Sequence, residues 1–139
     1  MNYWIYVLRK ENYLVTSENN FSLIGFPERN TKAAKQMKVG DKIILYIASN
    51  ISKIAGILQI KSDYYESRTW IWDDTFPIRL KTKPYIILKK DNFLDMRQLK
   101  DKLNFIKNKQ VWKIYFMQTL KKIDEKDYKV IEKLALRSK

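Results

Sequence analysis

The segment Asn2–Leu8 (Asn-Tyr-Trp-Ile-Tyr-Val-Leu) has no polar face. Successive side chains of an extended chain point to opposite sides. A strand of this composition must therefore be covered on both sides or closed into a barrel. Lys42–Ser49, built on Ile43-Ile44-Leu45-Tyr46-Ile47, is the strongest strand signal in the chain, and Lys53–Lys61 is a second. The few residues between them favour a hairpin. Gly56 lies inside the second strand, where a glycine marks a bulge or a close backbone approach.

Around this centre the chain alternates irregularly. Phe21–Ile24 reads as a short strand ending at Gly25-Phe26-Pro27, Glu28–Lys38 as a short helix, and Val39-Gly40-Asp41 as a turn. Ser62–Thr75 is an irregular, aromatic loop. Phe76–Leu88 is a strand or strand pair interrupted at Pro84, Asp95–Leu103 a short helix, and Val111–Phe116 a strand by composition. The last helix is the clearest: Asp124 is a natural N-cap, Ile123 can staple onto Tyr128, and Tyr128, Ile131, Leu134 and Ala135 form one apolar stripe. Five or six strands with short helices, outside simple βαβ order, predict a mixed α+β, barrel-like domain. With three Gly, three Pro and no linker, residues 1–139 are expected to form one domain.

The 139-residue chain contains neither Cys nor His. This excludes disulfides, thiolate zinc sites, Ser-His-Asp triads, His-based metal sites and imidazole acid–base chemistry. Carboxylate or lysine chemistry stays open, but Asp73-Asp74 has no partner motif and reads as a solvated turn. No Gly-rich phosphate loop or nucleophile elbow occurs. A non-enzymatic protein without metal or cofactor is expected. No apolar run reaches the ~18 residues that span a bilayer, and the N-terminus lacks the basic leader and cleavage site of a signal peptide. A cytoplasmic protein without membrane contact is expected, with a monomer favoured.

The net charge of +13 is uneven. Residues 76–122 carry 13 basic and 3 acidic side chains, against 10 and 8 in residues 1–75. Such a field attracts polyanions, nucleic acid first among them; a lysine-coated surface or a membrane-headgroup patch are the alternatives. Trp70-Ile71-Trp72 stands in the irregular loop, where aromatics serve as stacking faces for planar ligands. Two apart on an extended backbone, the indoles should point oppositely, so one of them lines a pocket.

Several blocks resemble one family. Asn2-Tyr3-Trp4-Ile5 is similar to the opening strand of EVE domains, members of the PUA-like superfamily. Gly25-Phe26-Pro27-Glu28-Arg29-Asn30, then Met37-Lys38-Val39-Gly40-Asp41, and then Ile54-Ala55-Gly56-Ile57 follow the family's order. Leu103–Lys109 with Val111-Trp112, and Asp127–Leu134, resemble an archaeal-type subgroup. The resemblance covers nearly the whole chain. It implies a pseudo-barrel of mostly antiparallel strands and a pocket for a flipped-out, modified base in DNA or RNA, akin to that of the related YTH domains, which read N6-methyladenine in an aromatic cage. An apolar cage gains from a base methyl group.

Carried over position by position, the resemblance assigns the pocket to Trp4, Ile24, Phe26, Arg29, Asn30, Trp70 and Trp72. Ile24 stands where relatives commonly have Trp, with Phe26 beside it as a substitute wall. Arg29 would meet a phosphate. Asn30 would read a base edge or cap the following helix. Trp4 is core or ligand contact, and Trp112 core or stacking face. Lys81, Lys83, Lys107, Lys109 and Lys113, with Arg29, are the expected backbone contacts. The alternatives are an enzyme or enzyme-associated domain acting on RNA or nucleotides, and a basic scaffold for an acidic protein.

Overall fold

The computed structural model describes residues 1–139. Its strands are β1 (Tyr3–Leu8), β2 (Leu23–Phe26), β3 (Lys42–Ile47), β4 (Lys53–Ile60), β5 (Tyr65–Glu66), β6 (Ile78–Ile87), β7 (Leu94–Asp95) and β8 (Leu120–Ile123). Its α-helices are α1 (Lys10–Glu18), α2 (Thr31–Gln36), α3 (Met96–Leu99) and α4 (Glu125–Arg137). The main sheet runs β2-β6-β4-β3-β1-β8, with β5 added to β6 and β7 to β4. Only β1 and β3 pair in parallel; the other pairs are antiparallel. β2 and β8 end the sheet without pairing to each other. The fold is thus a mixed α+β half-barrel of six strands with short helices around it.

The absence of a polar face on β1 has the expected outcome. Tyr3 and Ile5 enter one apolar cluster with Ile44, Tyr46, Ile57 and the inner face of α4. Trp4, Tyr6 and Leu8 enter the other with Ile43, Leu45, Leu58 and Leu80. Both sides of the central sheet are core. The β3–β4 hairpin forms, with a bulge opposite Leu45 and Tyr46. A side chain at Gly56 would place its Cβ 2.5 Å from the Ile86 carbonyl oxygen, so β6 approaches there as closely as glycine allows.

One segment contradicts the sequence expectations, one settles between two readings, and two elements carried no readable signal. Phe76–Leu88 is one strand, Ile78–Ile87: Pro84 pairs with Leu58 and Ile86 with Ile57, so Tyr85 bulges out where the proline lacks an N–H. Val111–Phe116 is not a strand but part of a 3₁₀ segment, Lys109–Phe116. Alternation would bury Trp112, Ile114 and Phe116, yet Ile114 is 54% exposed while Trp112 and Phe116 are buried, with Phe116 stacked on Tyr46 at 4.2 Å. β8, which gives β1 its outer partner, carries too mixed a pattern (Leu-Lys-Lys-Ile) to stand out. α1 has no local amphipathic signature, because its buried residues are Asn12 and Thr16.

α4 follows its signature. The Asp124 carboxylate accepts from the Asp127 N–H at 2.9 Å, and Tyr128, Ile131 and Ala135 are buried. The buried Asp127 carboxylate reaches back to accept from the Asn104 and Phe105 N–H groups at 2.7 and 2.9 Å, clamping the preceding loop to the helix.

Candidate nucleic-acid interface

α1 explains its polar inner face by what it packs against. The Trp72 indole N–H donates to Thr16 Oγ1 at 3.1 Å, and Thr16 donates in turn to the Asn12 carbonyl at 2.8 Å. The Asp73 N–H donates to Asn12 Oδ1 at 3.3 Å. The Arg9 guanidinium and the Asp73 carboxylate form an ion pair. The aromatic loop is thereby held against the start of α1 by polar contacts, which satisfy groups that burial would otherwise leave unpaired.

From the other side the loop is held by Arg79, which is 2% exposed. Its guanidinium donates to the carbonyls of Thr69, Thr75 (2.9 Å) and Phe76 (3.2 Å) and to Ser67 Oγ (3.1 Å). It also lies 5.4 Å from the Trp72 ring centroid, in cation–π range. Burial pulls its pKa down, with Tyr65 opposing, but a guanidinium stays protonated at any physiological pH. Phe76, the last residue clamped, has φ +39°. For a phenylalanine that is a strained backbone, sustained only when the surroundings over-determine it; the Arg79 fork and the Trp72 contact do so here.

Between this loop, the end of β1, the first turn of α1 and the segment after β2 lies a cleft of about 300 Å³. Its walls are Tyr6, Val7, Leu8, Pro27 and Phe76, and its polar groups are Arg9, Asn12, Arg29, Asp73, Asp74 and Thr119. This is the lower end of ligand-pocket sizes, about 300–1,000 Å³, suited to one planar heterocycle. Tyr6 donates its hydroxyl to the Gly25 carbonyl at 2.8 Å; burial raises its pKa far above the usual phenol range, against the effect of that hydrogen bond. Asn12 is buried, its Oδ1 is engaged by Asp73, and its Nδ2 donates to no protein group. Arg29 is exposed and donates to Thr119 Oγ1 at 3.2 Å. No group of three or more carboxylates is placed to hold a metal ion.

Of the residues the sequence reading put in the pocket, Arg29 lines this cleft. Trp70 stands out from the neighbouring loop, 65% exposed. Trp72 is 3% exposed and lies behind the cleft wall, against Gly25 and Phe76 (ring centroids 5.9 Å apart). The two indoles thus face opposite ways. Trp4, Ile24 and Phe26 are core residues; Trp4 donates to Asp41 Oδ2 at 3.3 Å, and Phe26 packs edge-on against Tyr6 at 5.0 Å. Asn30 begins α2 but its side chain makes no capping bond, and its Oδ1 is buried without a donor.

Lys81 and Lys83 project from β6 into solvent. Lys107 and Lys113 are exposed on the segments that cover the α4 side of the sheet, away from the cleft-side cluster. Lys109 is not a free cation: its ammonium donates to the Lys100 and Leu103 carbonyls at 3.0 and 2.7 Å. Trp112 is core.

Arg9, Asn12, Phe76 and Arg79 are site residues that sequence reasoning missed. Only Arg79 carried a signal, an arginine in an otherwise apolar strand start, Pro77-Ile78-Arg79-Leu80.

The curled half-barrel with short helices around it is a fold shared with YTH domains of known structure. The model of the EVE domain family matches residues 2–134, and the chain belongs to that family. A UPF0310 protein of Pyrococcus abyssi is 33% identical over 147 residues, spanning 96% of this chain and 99% of that one. Among solved structures, the Mmi1 YTH domain superposes with a TM-score of 0.72 at 11% identity, covering 99% of this chain and 89% of that one. The YTH domain of Zygosaccharomyces rouxii MRB1 protein, in complex with N6-methyladenosine RNA, gives 0.67 at 19% identity, covering 96% and 86%. At these identities the structural likeness establishes the shared fold. No helix is long and apolar enough to cross a membrane.

Proposed function

We propose that this protein is a nucleic-acid binding module that takes one extruded, methylated base into the cleft between α1 and the aromatic loop. The observation that carries the reading is the apolar-walled cleft with arginines on its rim and Asn12 in its lining: the Asn12 amide oxygen is engaged by Asp73, and its solvent-reachable nitrogen has no protein partner and can donate to a ligand. A base can accept from the Asn12 amide through its edge and lay one face on the half-buried Phe76. Val7, Leu8 and Pro27 add apolar surface that a methyl group can cover, and each stacked base contributes about 1–3 kcal/mol. Arg29 is placed for a phosphate. Trp70 serves a neighbouring base from outside, while Trp72, Ile24, Phe26 and Trp4 support the wall without touching the ligand. Lys81, Lys83, Lys107 and Lys113 contribute long-range attraction that falls with salt.

Binding rather than catalysis fits the side chains present. The cleft offers Asp73, tied to Arg9, and Asp74, which accepts from the Thr75 N–H at 2.6 Å. Neither is poised as a general base. The RNA complex of the structurally similar MRB1 domain makes N6-methyladenosine the first modification to try.

The test is calorimetric titration with one short single-stranded RNA and its DNA counterpart, each with and without N6-methyladenine or 5-methylcytosine, at fixed salt. A methylated form should bind about tenfold more tightly, and Phe76→Ala or Asn12→Ala should abolish that ratio while the fold persists by circular dichroism. Equal affinity for all forms, untouched by Phe76→Ala, overturns the reading.

A further inference from the structure

α1 separates the base cleft from a second concavity. Arg9 and Asn12 line the cleft, whereas their neighbours Lys10 and Tyr13, with Leu14, line a groove of about 820 Å³ that runs to the β3–β4 hairpin turn and β7. That groove continues into another of about 660 Å³ reaching the end of α4; the two share Lys53, Phe93 and Asp95.

The groove is strongly and openly cationic. Lys10, Lys53, Lys90, Lys102, Arg137 and Lys139 lie along it, and none has a carboxylate within salt-bridge range. Arg97 is occupied: it pairs with Asp95 at 3.2 Å and donates to the Asn50 carbonyl at 3.0 Å. Asp95 is occupied in turn, since it also caps α3 through the Arg97 N–H at 2.9 Å. Asp91 and the C-terminal carboxylate remain as opposing charges. At the junction of the two grooves Phe93 is half-buried, held edge-on by Tyr13 at 5.8 Å and 84°. Leu14 beside it is 47% exposed.

We infer that this track binds single-stranded nucleic acid, taking the sugar-phosphate backbone on its unpaired cations and stacking a base against Phe93. Unpaired cations spaced along a groove, with a fixed aromatic ring midway, match a chain of phosphates carrying unstacked bases. They match a duplex poorly, because paired bases cannot reach the ring. An acidic polypeptide matches the charge but leaves the aromatic platform unused. The inference rests on the proposed nucleic-acid function in naming the polymer, but it concerns different residues and predicts a different signature. The cleft sets which base is preferred; the track sets how tightly any single strand is held.

The test uses a fluorescein-labelled single-stranded 12-mer of mixed sequence without modified bases, titrated over a range of salt. Two double variants, Lys10→Gln with Lys90→Gln and Lys102→Gln with Arg137→Gln, replace solvent-facing charges. Each should lower the slope of log K against log salt by about 1.4, from about 0.7 per phosphate contact on a single strand. Phe93→Leu should weaken binding at fixed salt, and a duplex of the same length should bind more weakly than the single strand. The ratio between methylated and unmethylated oligonucleotides should not change in the lysine and arginine variants. Slopes unchanged in both double variants, a duplex bound as tightly as the single strand, or poly-glutamate competing as well as the 12-mer would overturn the track. Loss of the methylation ratio in Phe76→Ala alone, with normal slopes, tests the cleft and leaves the track standing. A track that binds an unmodified strand in a protein lacking any methyl preference refutes the cleft and not the track.

Discussion

Gly25→Ala probes the architecture of the cleft wall at one atom. Gly25 lies in β2 opposite Arg79 of β6. An added Cβ would sit 2.6 Å from Cζ3 and 2.9 Å from Cη2 of Trp72, and 3.0 Å from Cβ of Phe76. Carbon atoms rest about 3.5–4.0 Å apart, so the indole must retreat by about 1 Å. It cannot do so freely, because its N–H is held by Thr16 and its ring faces the Arg79 guanidinium. Overpacking of this kind costs about 1–3 kcal/mol. Removing a glycine stiffens the unfolded chain and returns about 0.4–1 kcal/mol. The net loss is then about 1–2 kcal/mol, and at about 2–4 °C per kcal/mol for a chain of this size the melting temperature falls by about 2–8 °C. Thermal melts by circular dichroism give the stability, and the near-ultraviolet spectrum reports the Trp72 environment. In the Gly25→Ala/Trp72→Phe double variant the smaller ring makes room, so the two losses should fall short of additive by more than 0.5 kcal/mol. A Gly25→Ala protein with unchanged melt and spectrum, or strict additivity in the double variant, would show that the indole does not pack on β2.

Arg79→Lys keeps the charge but cannot span three carbonyls and a hydroxyl; the loop over residues 67–76 should lose about 1.5–3 kcal/mol of local stability, seen as faster hydrogen exchange there, and unchanged exchange contradicts the clamp. Glu132 links α4 to the sheet: it accepts from Tyr128 at 2.7 Å and Tyr85 at 3.1 Å. Burial acts to raise its pKa, but the two phenols and Lys129 outweigh it and hold it below the ordinary value. A carboxyl depressed in the folded state stabilises fully above its unfolded pKa of about 4.3, and that contribution is lost as pH falls through the lower folded value. Glu132→Gln should therefore be less stable than the parent at pH 7, with the difference shrinking below pH 4 in urea melts; a constant difference at all pH values refutes the ionic role.

The polar inner face of α1 bears on how the cleft works. Core helices usually present apolar stripes, and a helix with Asn12 and Thr16 inside gives up hydrophobic burial. What it gains is a set of directed bonds that fix the loop backbone at Asp73 and leave the Asn12 amide nitrogen, in the cleft lining, without a protein partner. Phe76, Arg79 and Trp72 act with it as one unit, so substitutions among them should be strongly non-additive.

The cleft that the reading requires is present beside the Trp-Ile-Trp loop, but the indoles do not form its walls. Trp70 and Trp72 were legible as special because aromatics in an irregular loop are unusual, and their opposite orientation followed from spacing. Which of them would be buried depended on Gly25 and Thr16, which are 47 and 56 positions away from Trp72 in the chain. Lys109 shows the same limit: in the sequence it is one more cation, and in the fold its charge is spent on two carbonyls.

What the sequence by itself determined was burial. The all-apolar β1 and the β3–β4 hairpin require cover on both faces, the striped α4 fits a core on one side only, and the missing histidine and cysteine restrict the chemistry without any fold being known. The tertiary structure alone decided the site: the left-handed turn at Phe76, the arginine fork beneath it, the free amide of Asn12 and the groove behind α1. Periodicity records which side of an element meets apolar surroundings, because that is a local average over many side chains. A cleft is made by single polar bonds between residues far apart in the chain, and such bonds leave no period to read.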